Sequence, residues 1–564
     1  MTAVEANAVL GRVMLAFEGV VLPARIAERL GAAPAAGMTL FRYLNVRSPG
    51  QVLELTSAFQ RAGAAAPNAA PADLSTGAGS AAGGHAGRPS GAGSAPMLVA
   101  ADQEGGQFLA LGEGPTAFAG NMALGAVDDD GLTERVGFAI GTEARAMGVN
   151  VVYAPVLDLA TNPANPALGI RSFGDSPEAV GRHGAAMVRG LQAAGLAATV
   201  KHAPGIGHIS TDTHHGLAVV EAARDTLEAR EFVPFRAAFA AGARLAMSGH
   251  GAVPAVSGRD DLPATLSRAV MTDLLRRGLG FEGVTISDAL DMRALAQGQA
   301  QVLDVIAAVR AGVDLLLASA DPVALARIEA TLVRAVALEL LDSAEVATTE
   351  RRVAALRAWL GSAGPAPDIS VVGSTEHRAL AAELAARSIT LVRDPGGLLP
   401  SLGRDGDAGS DRGPVLAVMP RPADLTPADT SSSVAPGLAA ALRRHHREVE
   451  EIVVDQAPDR ESIAGVRDRA AQARVVVIGT IDAHRQAAQL ELVDAIARTG
   501  TPTIAVAMRG PWDVAAYPPS VTALATYSIL PASLAALAAV LAGEADAPGR
   551  LPASVPARAV TVPA

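Results

Sequence analysis

Short apolar runs alternate with longer segments of helical periodicity over about the first 350 residues, and this alternation constrains the fold more than any other feature. Seven such runs cover residues 38–41, 97–100, 151–157, 196–200, 244–247, 284–287 and 313–317. Strands and helices that repeat in this way are typical of a parallel α/β architecture. We predict a (β/α)8 barrel of the TIM type, with an eighth strand that the apolar pattern does not reveal. A doubly wound sheet is the alternative arrangement.

A second set of apolar runs follows a stretch rich in Gly and Pro, GSAGPAPD at 361–368. The six runs cover residues 388–392, 414–419, 451–455, 474–479, 503–508 and 522–527. They alternate with helical stretches and predict a smaller α/β sandwich domain. We therefore predict a barrel domain at 1–360, a linker at 361–375 and a C-terminal domain at 376–564.

One segment inside the predicted barrel domain differs in composition from its surroundings. Residues 62–96 contain almost no large apolar side chain and are rich in Ala, Gly and Ser. Such a segment buries too little surface to offset the entropy of ordering it, so we predict a disordered insertion there.

The composition of the 564-residue chain argues against several classes of protein. Its 46 Lys and Arg residues are outnumbered by 57 Asp and Glu residues, and the formal net charge of −11 argues against binding to nucleic acid. The absence of cysteine excludes disulfides, thiolate metal sites and a cysteine nucleophile. The N-terminal residues lack the basic start and the small-residue cleavage site of a signal peptide, and no apolar run is long enough to span a membrane. We expect a cytoplasmic protein that does not bind membranes.

Polar residues with catalytic potential follow several of the apolar runs directly. The positions are Asp102, Asp158, Lys201 with His202, His250 and Asp288. In a barrel, residues that follow the strands lie at the C-terminal rim, where the loops form the active site. Single polar residues at strand ends are common, but five such positions together predict one site.

The segment 201–217, KHAPGIGHISTDTHHGL, holds four of the eleven histidines, and its Gly and Pro content predicts a loop. Asp212 stands two residues before His214, and such a pair favours one tautomer of the imidazole and prepares it for proton transfer near neutral pH. We interpret His208 and His215 as solvated loop residues. A metal site is the alternative use of these side chains, but their spacing matches no common zinc motif, so we predict no metal.

Asp288 lies at the end of the run VTIS and just before a predicted helix. An aspartate in this position can act as a nucleophile that forms a covalent intermediate, with His214 as acid and base. The alternative is a structural aspartate that caps the following helix, and we favour that role for Asp291.

Several motifs resemble those of family 3 glycoside hydrolases, in particular the bacterial β-N-acetylglucosaminidase branch. The matching stretches read ADQEGG at 101–106, NVVYAPVLDLATNPANP at 150–166, GIRSFGDSPE at 169–178, KH-x-PG-x-G-x4-D-[ST]-H at 201–214, PATLSRAVMTDLLRRGLGFEGVTISDALDM at 263–292 and AGVDLLL at 311–317. Their order and spacing match the family over about residues 10–330, and residues 376–564 resemble its C-terminal α/β domain.

The resemblance implies a retaining exo-glycosidase that removes terminal β-linked N-acetylglucosamine and needs no cofactor. Asp288 would be the nucleophile, His214 the acid and base, and Asp212 the residue that orients His214. The implied sugar-binding residues are Asp102, Arg171, Lys201, His202 and His250. The implied partner is a small carbohydrate, such as a cell-wall fragment, and the sequence does not predict an oligomeric state.

The sequence departs from the branch in two places. Ala110 stands where the branch carries an Arg that contacts the sugar, and KHAPGIG replaces KHFPGHG at 201–207. A β-glucosidase or β-xylosidase therefore stays open as an alternative, and so does a phosphorylase of the same family, because a neutral His repels phosphate less than a carboxylate does. A sugar-binding module without catalytic activity is the alternative from another class of protein. The presence of both a candidate nucleophile and a candidate acid argues against it, because a binding module needs neither. Trp512 is a candidate sugar contact, but a core position is more common for such a residue.

Overall fold

A computed structural model describes residues 3–65, 95–401 and 414–556 of the chain. Most of the predicted insertion, 62–96, lies outside these described residues. The first three residues of that range belong to a helix that ends at Ala64.

The N-terminal part of the chain is a parallel β-barrel, as the sequence predicts. The strands are β1 Val13–Leu15, β2 Gly37–Leu40, β3 Leu98–Ala101, β4 Gln103–Gly105, β5 Phe108–Leu109, β6 Val151–Val152, β7 Ala197–Ala203, β8 Leu245–Ser248, β9 Val284–Ser287 and β10 Leu316–Leu317. Eight of them form one sheet in the order β10-β1-β2-β3-β6-β7-β8-β9, while β4 and β5 form a separate antiparallel hairpin. A parallel bridge between Ile286 and Leu315 brings β9 beside β10 and closes the barrel.

Helices follow the barrel strands and form its outer layer. They are α1 Ala3–Leu10, α2 Ala24–Ala32, α3 Arg42–Asn45, α4 Pro49–Ala64, α5 Asn121–Val127, α6 Asp130–Ala146, α7 Pro177–Ala193, α8 Arg224–Thr226, α9 Phe232–Ala240, α10 Pro254–Ser257, α11 Gln301–Ala311, α12 Pro322–Ala337 and α13 Ser343–Gly361. Two π-helical segments cover Leu227–Glu231 and Ala269–Gly278. Helix α13 buries Val353, Leu356 and Leu360 against the side chains inside the barrel, so it covers the N-terminal end of the barrel.

The strand that the apolar pattern did not reveal is β1, which has only three residues. All three are buried between β10 and β2. The predicted strand at 151–157 was too long, since β6 ends at Val152. Pro155 has no backbone N–H to donate to a ladder, and only an isolated bridge from Val156 to Lys201 follows it.

The C-terminal part of the chain forms a second α/β layer structure, as predicted. Its strands are β11 Thr390–Arg393, β12 Val415–Pro420, β13 Val449–Val454, β14 Val475–Thr480, β15 Thr503–Ala507 and β16 Thr522–Ala525. The helices are α14 Thr375–Ser388, α15 Leu438–Leu442, α16 Arg460–Ala470, α17 Ala487–Ala497 and α18 Pro531–Leu541. The strand order is β11-β16-β15-β14-β12-β13, and the sheet is mixed because β11 alone pairs antiparallel.

The region between the two sheets contains the predicted linker, 361–375. Helix α13 ends at Gly361 and α14 begins at Thr375, so the intervening residues connect the two parts of the molecule. Among the described residues, no helix is both long and apolar enough to cross a membrane.

Candidate active site

The eight predicted site residues lie together at the C-terminal ends of the barrel strands. Asp102 directly follows β3, Lys201 and His202 are near the end of β7, His250 follows β8 and Asp288 follows β9. Because all these strands are parallel, their C-terminal ends lie at the same rim of the barrel. Arg171 comes from the loop between β6 and α7, and Asp212 and His214 come from the loop that follows β7.

Asp212 and His214 form a hydrogen-bonded pair in this loop. Asp212 Oδ1 accepts from the backbone N–H of His214 at 2.8 Å and lies 2.7 Å from its Nδ1. A carboxylate only accepts, so Nδ1 carries the proton of that bond and Nε2 remains for proton exchange with another group. Burial lowers the pKa of His214, but the hydrogen bond and charge of Asp212 and the charge of Asp288 raise it above its usual value.

Asp288 sits among three histidines. Burial raises the pKa of its carboxyl, but the nearby His202, His250 and His214 outweigh this effect and hold the pKa below its usual value. Oδ1 accepts from the backbone N–H of Ala289 at 2.8 Å. Oδ2 has no hydrogen-bond partner within the described part of the chain, so an ionised oxygen is available to a ligand.

A buried network of charges lies beside Asp288. Arg171 binds Glu104 through two hydrogen bonds, Nε to Oε2 at 2.9 Å and Nη2 to Oε1 at 2.8 Å. Lys201 Nζ lies 2.6 Å from the same carboxylate and 2.5 Å from Asp102 Oδ1. Burial raises the pKa of Glu104, but the two cations lower it to about 2. Two cations held by two carboxylates form a rigid set of charge-assisted donors and acceptors.

The two other histidines are held by the protein scaffold. His202 Nδ1 lies 2.7 Å from Asp158 Oδ2, and Arg171 Nη2 is 3.4 Å from the other ring nitrogen of His202. His250 contacts the hydroxyl of Thr265 at 2.7 Å and the carbonyl oxygen of Ala289 at 3.0 Å. The second contact ties His250 to the residue that follows Asp288.

Sequence reasoning missed Glu104 as a site residue, although it lies in the motif ADQEGG. The sequence feature that could have identified Glu104 is its position as a second carboxylate two residues after Asp102. In the structure it lies on the hairpin strand β4. The interpretation of His208 as a solvated loop residue was wrong. Its Nε2 lies 3.1 Å from Oε1 of Glu231, which is buried in the next helical segment. His215, in contrast, is exposed.

The residues weighed as metal ligands do not converge. His208 pairs with Glu231, while His214 pairs with Asp212. Within residues 3–65, 95–401 and 414–556, no group of three or more His, Asp or Glu side chains is arranged to hold a metal ion.

Known proteins resemble this chain in both sequence and structure. The profile of the glycosyl hydrolase family 3 N-terminal domain matches residues 81–356. A β-N-acetylglucosaminidase of glycoside hydrolase family 3 from Paenibacillus sp. str. FPU-7 has a solved structure that superposes with a TM-score of 0.86, at 32% identity and with 100% of both chains covered. The chain belongs to glycosyl hydrolase family 3.

Two curated relatives match smaller parts of this family 3 chain in sequence. Beta-hexosaminidase A from Pseudoalteromonas piscicida is 32% identical over 66% of this chain and 62% of its own length. Beta-N-acetylglucosaminidase/beta-glucosidase from Cellulomonas fimi is 35% identical over 54% of this chain and 56% of its own length. The chain thus spans less than two thirds of either relative.

In this family 3 protein the C-terminal domain contacts the hairpin that carries Glu104. The backbone N–H of Thr430 donates to the carbonyl oxygen of Gln107 at 2.8 Å, and Gln107 Nε2 donates to Asp429 Oδ2 at 3.2 Å. Asp429 also pairs with the buried Arg509 at 3.1 Å. Trp512, the candidate sugar contact, is only 3% exposed and belongs to the core.

Proposed function

We propose that this protein is a retaining exo-glycosidase that hydrolyses terminal β-linked N-acetylglucosamine. One observation carries the proposal. An ionised aspartate, Asp288, lies beside His214, and Nδ1 of His214 is bound to Asp212, so that Nε2 remains for proton transfer. A nucleophile and a proton donor on one rim are the two groups that double displacement at a sugar requires.

In the first step, an oxygen of Asp288 attacks the anomeric carbon while the bond to the leaving oxygen breaks. His214 Nε2–H gives its proton to that oxygen, and a glycosyl ester on Asp288 results. The negative charge of Asp212 stabilises the imidazolium before the transfer, and its hydrogen bond keeps the ring in position.

In the second step, His214 is neutral and accepts a proton from water through Nε2. The resulting hydroxide oxygen attacks the anomeric carbon, and the ester bond to Asp288 breaks. The sugar leaves with the configuration that it had in the substrate, and both side chains return to their initial protonation states.

Sugar hydroxyl groups bind the charged network beside Asp288. Asp102 accepts hydrogen bonds from hydroxyls, while Arg171 and Lys201 donate to them. His202, whose Nδ1–H is bound to Asp158, offers Nε2 as an acceptor. Glu104 and Asp158 position these side chains, since each of them holds one or two of the cationic or imidazole groups. Both ring nitrogens of His250 are engaged, by the hydroxyl of Thr265 and the carbonyl oxygen of Ala289, so His250 positions the residue that follows Asp288 and does not itself donate to the sugar.

Two of the similar proteins support N-acetylglucosamine as the sugar, because their names state β-N-acetylglucosaminidase activity. The substrate that we propose is a cell-wall fragment with a terminal N-acetylglucosamine. We propose that the protein processes it in the cytoplasm and without a cofactor. The second candidate is β-glucosidase activity. Ala110 occupies the position where an Arg would contact the sugar, and the Cellulomonas fimi relative is also named a β-glucosidase.

The first experiment is the initial rate on 4-nitrophenyl β-N-acetylglucosaminide, with and without phosphate, followed by identification of the sugar product. We expect free N-acetylglucosamine at the same rate in both buffers. A sugar 1-phosphate at a phosphate-dependent rate would instead identify a phosphorylase. Turnover of only the β-glucoside or β-xyloside analogue would contradict the proposed sugar specificity.

Asp288→Asn tests the nucleophile. We expect kcat to fall by about a thousandfold or more, because an amide cannot form the ester intermediate. A slow 2-fluoro glycoside should label the wild-type protein, and peptide mass spectrometry should locate the sugar on Asp288. Asp291→Asn, three residues further along, is the control and should retain more than about a tenth of the activity. Full activity of Asp288→Asn would refute the mechanism.

A further inference from the structure

An open pocket of about 530 Å³ lies at the opposite end of the barrel from the catalytic groups. Its walls are the segments just before β8 and β9 and one face of helix α13. Arg244 precedes β8 and Glu282 precedes β9, whereas His250 and Asp288 follow the same two strands. The barrel therefore separates this pocket from the sugar site by the length of its strands.

Two arginines of the pocket lack a carboxylate partner among the described residues. Arg244 Nε is buried without a hydrogen bond, and its guanidinium lies 4.6 Å from the ring centre of Trp359. Arg351 is exposed and donates only to the hydroxyl of Thr348, at 2.8 Å. Both cations are free to bind an anion from solution.

Acidic groups around the pocket do not neutralise these two arginines. Asp314, buried behind the pocket, is already shared between Arg276 at 2.5 Å and Arg352 at 3.1 Å. Glu282 is the one carboxylate among the lining residues, and it is exposed. In a chain of net charge −11, this pocket is a local concentration of positive charge.

The lining also provides aromatic side chains. The rings of Phe239 and Phe281 lie 4.6 Å apart and form one wall of the pocket. Guanidinium groups bind phosphate through paired hydrogen bonds, and an aromatic wall accommodates the remainder of an organic ligand. We propose that this pocket binds a small molecule that carries a phosphate or diphosphate group, through Arg244 and Arg351.

Titration calorimetry with inorganic pyrophosphate tests this proposal on the full-length protein. We expect one saturable site, and affinity at least about tenfold weaker in the double variant Arg244→Gln/Arg351→Gln. Arg351→Gln alone should weaken binding at least about threefold. Because Arg351 is exposed, its substitution should not unfold the protein, and misfolding would not account for the weaker binding. Arg277→Gln is the matched control, because Arg277 is exposed, pairs with Asp273 and does not line the pocket.

Two further titrations test where the ligand binds and which part of it is recognised. Saturating N-acetylglucosamine should leave pyrophosphate binding unchanged, since the two sites lie at opposite ends of the barrel. Uridine diphosphate that binds more tightly than pyrophosphate would identify an organic phosphate as the ligand, and equal affinity would identify the phosphate group alone. The absence of saturable binding, displacement by N-acetylglucosamine or unchanged affinity in the double variant would each overturn the proposal.

Discussion

At the scale of residues, the candidate site depends on carboxylates that hold cations and imidazoles in fixed positions. Glu104 holds both Arg171 and Lys201, and Asp212 holds His214. Burial penalises every one of these charges, so each is stable only because its partner is in contact. The charge and hydrogen bond of Asp212 raise the pKa of His214 and so favour the protonated form that the proposed mechanism needs.

Asp212→Asn tests this pairing through the pH dependence of kcat/KM. The pKa of His214 is raised in the wild type, so the acid form persists to higher pH, and activity falls as pH rises through that pKa. The variant removes the negative charge, so the pKa falls and the alkaline limb moves to lower pH. At neutral pH the rate should decrease about tenfold or more.

His215→Gln is the control for that measurement, since His215 is the exposed neighbour of His214. Its pH profile should match that of the wild type. An alkaline limb that stays in place in Asp212→Asn would show that Asp212 does not control the proton on His214.

At the scale of elements, the loop between β7 and α8 matters most, because it carries Asp212 and His214. Its path is set by tight packing against the loop after β6. A Cβ atom at Gly207 would lie 2.2 Å from the carbonyl oxygen of Leu159, so only glycine fits there. Asp158, next to Leu159, also accepts from the backbone N–H of Ile206 at 2.8 Å.

Gly207→Ala should displace this loop and lower kcat/KM at least about tenfold, because a small shift of a general acid is costly. The free energy of unfolding should fall by about 1–3 kcal/mol, as for other overpacked positions. Gly216→Ala in the same loop is the control, because a Cβ there meets nothing within 4 Å. Steady-state kinetics and urea unfolding of both variants measure the two effects. Equal kinetics for the two variants would contradict this account of the loop.

At the scale of the whole molecule, the C-terminal domain supports the site from outside the barrel. The buried Asp429 accepts from Gln107 in the hairpin connection and pairs with Arg509 of its own domain. His484, also in that domain, contacts the carbonyl oxygen of Pro163 at 3.0 Å, in the loop that leads to Arg171. The C-terminal domain therefore contacts the barrel segments that hold Glu104 and Arg171.

Asp429→Ala should lower the free energy of unfolding by about 3 kcal/mol, because it leaves the buried Arg509 with only its longer contact to Asp482, at 3.4 Å. KM should rise, since Gln107 loses its partner next to the hairpin strand that carries Glu104. Urea unfolding and substrate titration measure both effects. Asp494→Ala removes an exposed ion pair with Arg498 and should change stability by less than about 1 kcal/mol. Equal stability losses in the two variants would show that the buried pair does not support the domain contact.

The architecture and the clustering of several candidate site residues could be predicted from the sequence alone. Apolar periodicity separates strands from helices, and parallel strands bring the residues after them to one rim, so Asp102, Lys201, His202, His250 and Asp288 were expected together. The apolar pattern predicted strands incorrectly where the local sequence signals were weak. The strand β1 has three residues, and Pro155 ended the strand β6 earlier than the apolar run suggested.

The Asp212–His214 pair was expected from its spacing, but only the tertiary structure decided the charge pairs between distant segments. Glu104 contacts Arg171, which is 67 positions away, and His208 contacts Glu231 in another element. The arginine pocket under the barrel likewise joins α13 to segments before β8 and β9, which are distant in the chain. Local propensity and periodicity describe how each segment folds, whereas burial and pairing of charges depend on which segments meet in space.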